Sequence, residues 1–158
     1  MKAAVLTVSD GVAAGTRRDE AGPILVERLE AAGLSIVATR VVADELDLIV
    51  AELSDLLGLA RLVVTTGGTG FGPRDVTPEA TRWVVDREAP GLVHLMLSAG
   101  LLQTPRAALS RGVAGSVGET LVINLPGNPR GALENLDAIL GLVPHILDLL
   151  AGDTEHRD

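Results

Sequence analysis

The sequence predicts an α/β fold with a mostly parallel sheet and helices on both faces. Three observations carry this. Short apolar runs alternate with segments of helical period, in the order β-α-β-α-β-α. Glycines close the helical segments. The residues able to do chemistry, Ser9-Asp10, Asp44, Gly67 to Asp75 and Pro126 to Asn128, each follow a predicted strand. In such folds ligands sit outside the carboxyl ends of the strands.

Lys2 to Val8 is short, apolar and ended by Ser9, Asp10 and Gly11, which reads as a buried strand followed by a polar loop to Asp19. Leu25, Leu29 and Ala32 recur at helical spacing until Gly33 stops them, and residues 34 to 42 read as a second strand. Leu46, Ile49, Val50, Leu53, Leu56 and Leu57 form one apolar stripe ending at Gly58. Residues 61 to 66 form a third strand that feeds a glycine turn. Thr77 is the expected N-cap of the next helix, with Pro78 at its first position and Glu79 just inside. Residues 91 to 101 are apolar on most faces, which predicts a largely buried helix, part of it covered by another subunit. Two short strands, 113 to 117 and 120 to 124, flank Gly118-Glu119. Asn128 then caps a helix opened by Pro129, and Gly141 and Pro144 interrupt the last helical region. Residues 1–151 are expected to form one domain, and 152–158 a polar, mobile tail.

Composition narrows the function. The 158 residues are 47% apolar, enough for a sizeable core, and the net charge is −8. An acidic chain is a poor binder of nucleic acid or anionic membrane. Twelve of the thirteen basic residues are arginine, the residue suited to bidentate phosphate contacts. Trp83 and Phe71 are the sole aromatic side chains besides histidine, so base stacking is not expected. Without cysteine there is no disulfide, thiolate metal site or thiol nucleophile. The N-terminus lacks a signal-peptide pattern and no apolar run reaches the ~20 residues of a membrane span, so a cytoplasmic protein is expected. His94, His145 and His156 show no metal-ligand spacing. The first two fall on apolar helical patterns and are expected to be packing residues, the third in the tail.

The informative stretch is TTGGTGFGPRDVTPEAT, Thr65 to Thr81: strand, glycine turn, carboxylate and helix start in seventeen residues. Glycines let a backbone approach a phosphate and aim N–H groups at it. The turn is neither a Walker A loop, for want of Gly-Lys-Ser/Thr, nor a dinucleotide fingerprint. It could equally be a tight turn with no ligand. Asp44 and Asp75 each follow a strand. Two carboxylates beside a phosphate repel it unless a cation lies between them, and Mg²⁺ commonly takes one or two carboxylates plus phosphate oxygens. Asp44 could instead cap the helix that begins beside it, and Asp75 could pair with Arg74 or Arg82. Ser9 and Ser110 are possible hydroxyl contacts or simply strand and loop ends. Pro126-Gly127-Asn128-Pro129 could wall a pocket or only turn the chain.

TVSDG, the acid pair Asp44-Glu45, GGTGFGPRDVTPEAT, LSRG and LPGNP, in this order from Lys2 to about Leu150, resemble the molybdopterin-binding MoaB/Mog family of molybdenum-cofactor biosynthesis. The resemblance implies a three-layer α/β/α sandwich that assembles as a homotrimer or a hexamer of two trimers. It implies Mg²⁺-dependent transfer of AMP from ATP to molybdopterin, releasing pyrophosphate and handing the product to a molybdenum-insertion enzyme. Its functional aspartates fall on Asp44 and Asp75, which would hold Mg²⁺ directly or through water. Its nucleotide loop falls on Gly67, Gly68, Thr69 and Gly70, its substrate serines on Ser9 and Ser110, and its proline-glycine turn on Pro126 and Gly127. The GFGPRD form is similar to the MoaB branch, some members of which are thought not to adenylate. A molybdopterin carrier without catalysis is therefore the alternative.

Overall fold

The computed structural model describes residues 1–153; the tail beyond Asp153, with His156, lies outside the described residues. In chain order the elements are β1 (Lys2–Val8), α1 (Asp10–Ala13), α2 (Ala21–Ala31), β2 (Ser35–Val42), α3 (Leu46–Leu57), β3 (Leu62–Thr66), α4 (Thr77–Val84), β4 (Arg87–Glu88), α5 (Pro90–Leu101), a 3₁₀ turn (Pro105–Leu109), β5 (Ala114–Val117), β6 (Thr120–Leu125), α6 (Pro129–Leu140) and α7 (Val143–Leu150). They build one six-stranded sheet of order β2-β1-β3-β6-β5-β4. The first four strands in that order are parallel; β5 runs back along β6 through a turn at Gly118, and β4 pairs antiparallel with β5.

The central strands β1, β3 and β6 are almost wholly buried because both their faces are covered, while β2 and β4 at the two edges of the sheet are largely exposed. Successive residues point to opposite sides. Ala3, Val5, Leu62, Val64, Leu121 and Ile123 join a core with Leu25 and Leu29 of α2, Leu136 and Ile139 of α6 and Leu147 of α7. Ala4, Leu6, Val63 and Val122 join a second core with Ile49, Leu53 and Leu56 of α3 and Ala80 of α4. The result is the expected three-layer α/β/α sandwich. Each buried leucine or isoleucine contributes about 1.5–3 kcal/mol, so both layers are firmly held.

That rigidity positions the functional edge. The register places Val8 beside Val42, Thr7 beside Thr66, and Thr66 beside Leu125. The chain therefore leaves β1, β2, β3 and β6 along one rim. From β1 it crosses to β2 on one side and then to β3 on the other, so β1 and β3 flank the switch point where α/β sheets open a crevice.

Four expectations are corrected. The polar loop after β1 contains a one-turn helix, α1, because the Ser9 side chain accepts from the Val12 N–H. Thr77 is buried and is not a side-chain cap: its hydroxyl donates to the Gly67 carbonyl at 2.9 Å, tying α4 to the glycine turn. Helix α5 buries only Met96 and Gly100, because a single chain supplies a partner for one face alone. His94 and His145 are exposed rather than packed: the inward positions are Met96 and Gly100 on α5, and Val143 and Leu147 on α7, and each histidine is two residues off that stripe. Strand β4 and the 3₁₀ turn carried no periodic signal, being too short to show one.

Candidate active site

The glycine turn is shaped by what it must avoid. Gly67 and Gly68 have φ of +97° and +66°, a region that favours glycine. A Cβ at Gly67 would strike the Val8 carbonyl oxygen, and one at Gly68 would strike Thr77 Oγ1 and come within 2.9 Å of Asp44 Oδ1. The turn thus lies directly on the end of β1 and against Asp44.

Asp44 does not cap α3, whose preceding residue Glu45 makes no side-chain cap. It is tied instead to Asp10 by a reciprocal pair of bonds. The Asp10 N–H donates to Asp44 Oδ2 at 2.8 Å, and the Asp44 N–H donates to Asp10 Oδ1 at 3.0 Å. Arg74 then grips Asp10 through Nε and Nη2, each at 2.9 Å. The arginine holds the Asp10 carboxyl below its ordinary range. Burial pushes the Asp44 carboxyl above its ordinary range, and the charges of Asp10 and Asp75 add to this. Asp75 pairs with neither Arg74 nor Arg82; its Oδ2 accepts from the Gly72 N–H at 2.8 Å. Arg74 is committed to Asp10 and Arg82 to Glu88.

Arg111 braces the loop from the other side. It donates to the carbonyls of Gly70 and Asp75 at 2.7 and 2.8 Å and pairs with Glu79. That pairing holds the Glu79 carboxyl low. Asn124 is buried beneath, donating to Thr65 Oγ1 and Thr81 Oγ1 and accepting from the Val113 N–H.

Two adjoining clefts open along this rim. One, about 630 Å³, has apolar walls from Val93, Met96, Leu97 and Leu109, set with Gln103, Thr104, Asn128 and Asn135. The other, about 530 Å³, is polar, lined by Thr7, Ser9, Arg17, Arg18, Asp19 and Asp44 among others. They share Gly68, Asp75, Gly127 and Asn128. The ten residues singled out in the sequence divide between them. Ser9, Asp44 and Gly67 line the polar cleft, Thr69, Gly70, Ser110 and Pro126 the apolar one, and Gly68, Asp75 and Gly127 both. Ser9 Oγ accepts from the Val12 N–H and Ser110 Oγ from the Gly112 N–H, both at 3.3 Å.

The donor set fits a hard cation. Asp44 and Asp75 each give one oxygen to a backbone amide, and their other oxygens take no hydrogen bond from the described residues. Among those residues no three acidic or histidine side chains gather to cage an ion. A Mg²⁺ here would draw further ligands from phosphate, its usual habit. Asn124 escaped the sequence reading as a site-shaping residue, and Asp10 entered it only as a residue at the end of β1, not as the partner of Asp44. A polar residue inside the apolar run LVINL was a usable signal for Asn124, since a buried amide demands partners. The Asp10–Asp44 tie spans 34 residues and left none.

A family model described as a probable molybdopterin binding domain matches residues 4–146. The chain is 41% identical over 152 residues to the molybdenum cofactor synthesis protein cinnamon of Drosophila melanogaster, covering 94% of this chain and 25% of that protein, so it spans a quarter of that longer relative. It is 40% identical over 153 residues to the molybdopterin adenylyltransferase of Helicobacter pylori strain J99, covering 94% of this chain and 87% of that one. The crystal structure of the molybdopterin biosynthesis enzyme MoaB from Thermus thermophilus superposes with a TM-score of 0.88 at 47% identity, covering 96% of each chain.

Proposed function

The chain belongs to the molybdopterin-binding MoaB/Mog family of molybdenum-cofactor biosynthesis, and on that premise we propose that it is a molybdopterin adenylyltransferase. One observation carries the reading: a polar cleft and an apolar cleft meet at Gly68, Asp75, Gly127 and Asn128. Two substrates of different chemistry can therefore meet at one point.

The apolar cleft suits a flat pterin, whose ring donors and acceptors find the amides of Gln103 and Asn135 and the hydroxyls of Thr104 and Ser110. The polar cleft suits the nucleotide phosphates. A pterin phosphate oxygen forms a bond to the α-phosphorus of ATP, and the bond from that phosphorus to the bridging oxygen breaks. Pyrophosphate leaves with the electron pair. The attacking phosphate is already ionised at neutral pH, so no protein base is required. The backbone N–H groups of Gly68, Thr69 and Gly70 hold phosphate oxygens, that of Gly67 being bonded to the Leu125 carbonyl, and Asp44 and Asp75 would orient the bound cation. Mg²⁺, when bound with ATP, neutralises phosphate charge and stabilises the crowded phosphorus. Catalysis is then positioning plus charge stabilisation.

The catalytic unit spans residues 1–151. We extend the proposal to a trimer or pair of trimers, because α5 and the segment after it present Leu95, Leu101 and Leu102 to solvent in the single chain. Adenylylated molybdopterin would pass to a molybdenum-insertion enzyme.

A pyrophosphate-release assay with Mg-ATP and molybdopterin tests the function, with Asp75→Ala alongside. Release by the wild type that needs both substrates, and falls at least about hundredfold in the variant, is expected. No release by a wild type that still binds molybdopterin would convert the assignment to the carrier.

A further inference from the structure

We propose that Arg17 and Arg18 form a polyphosphate grip, receiving the β- and γ-phosphates of ATP and then the departing pyrophosphate. The inference rests on the adenylyl-transfer reading and assigns to this chain residues that neither the glycine turn nor the aspartates supply.

The first support is charge. Among the described residues, every arginine except Arg17, Arg18, Arg87 and Arg106 is paired with a carboxylate. An acidic chain with carboxylates to spare has left these four guanidiniums free. Two of them stand side by side on the wall of the polar cleft. The second support is why they stay free. Asp19 follows them directly, yet both its oxygens are spent: Oδ2 accepts from the Thr7 hydroxyl at 2.7 Å and Oδ1 from the Gly22 N–H at 2.9 Å. The neighbouring carboxylate is thus held on the sheet and at the start of α2.

The third support is placement. The Arg17 N–H donates to the Gly11 carbonyl at 3.1 Å, and its stem lies across Gly11, where an added Cβ would come within 2.8 Å of Arg17 Cδ. Gly11 belongs to the short helix α1, whose first N–H, that of Asp10, is bonded to Asp44. The segment carrying the arginines is therefore braced against the same turn that orients Asp44. Both arginines line the polar cleft alone, away from the apolar cleft, while Gly68 and Asp75 stand where the two meet. With the reacting phosphorus at that junction and the pterin on the apolar side, the leaving group departs on the arginine side. When the bond from the α-phosphorus to the bridging oxygen breaks, the electron pair goes to pyrophosphate, and two unpaired guanidiniums on the wall of that cleft take up the added charge.

Calorimetric titration of Mg-ATP, pyrophosphate and AMP separates the possibilities, using the full chain as wild type, as Arg17→Gln/Arg18→Gln and as the corresponding double lysine variant. Losing both charges should weaken ATP and pyrophosphate about tenfold or more, with AMP held within about twofold. Lysine should restore part of the loss. Unchanged AMP binding also shows that the variant is folded. Equal ATP affinity in wild type and variant overturns the grip while leaving adenylyl transfer standing. A parallel loss of AMP also overturns it, since the arginines would then serve a single phosphate. A wild type that binds neither ATP nor pyrophosphate sinks the grip and the adenylyl-transfer reading together.

Discussion

Asp44 shows how function and stability pull apart at a single residue. Its carboxyl is pushed up by burial, with the charges of Asp10 and Asp75 adding to the effect, while the Asp10 N–H works in the opposite direction. A carboxyl raised on folding holds its proton more tightly in the folded chain. The stability this gives is full below the ordinary carboxylate value of 3.8 and is lost as pH rises through the raised value. At neutral pH the ionised group therefore costs stability. In metal-free buffer Asp44→Asn should raise the unfolding free energy at pH 7 by less than about 1 kcal/mol, because solvent screens the repulsion, and the denaturation midpoint should rise with it. The gain should vanish in acid, and adenylyl transfer should be lost throughout. A midpoint at pH 7 equal to or below that of the wild type would show that the amide from Asp10 outweighs the repulsion.

At the scale of elements, the site is held by side chains that bond across elements. Asn124 of β6 reaches β3 through Thr65 and α4 through Thr81, and accepts from Val113 just before β5. Thr77 ties α4 to the glycine turn, and Arg111 ties the turn to α4 through Glu79. Removing Asn124 strands a buried N–H and two buried hydroxyls at once. Asn124→Leu should cost about 2–4 kcal/mol in urea denaturation, because unsatisfied buried polar groups are penalised beyond the bonds lost. A loss under about 1 kcal/mol would mean that water replaces the amide.

For the whole molecule, the open question of surface is α5. Within the single chain its apolar sequence buries only Met96 and Gly100, and Leu102 just after it is 84% exposed. A helix that is apolar all round is expected to be covered. Sedimentation at micromolar concentration should show a species larger than the monomer, and Leu95→Glu/Leu102→Glu should shift it to the monomer without unfolding it. A wild type that sediments as a monomer would remove the trimer proposal and leave α5 as a plain exposed face.

The sequence by itself determined the layers and the edge. Central strands written as mostly apolar runs, helices such as α3 written with one apolar stripe, and glycines at the stops are local signals, and local signals survive translation into structure. Nine of the ten singled-out residues reach one rim because every carboxyl end of a parallel sheet lies on the same side, and Ser110 joins them because the antiparallel β5 starts from that rim. Tertiary structure alone decided the partners. That Asp44 bonds Asp10 and not α3, that Arg74 serves Asp10 and not Asp75, and that His94 and His145 face outward depend on which surfaces meet across tens of residues. No local period records that choice, since a hydrogen bond between distant loops is settled by the packing that brings them within about 3 Å.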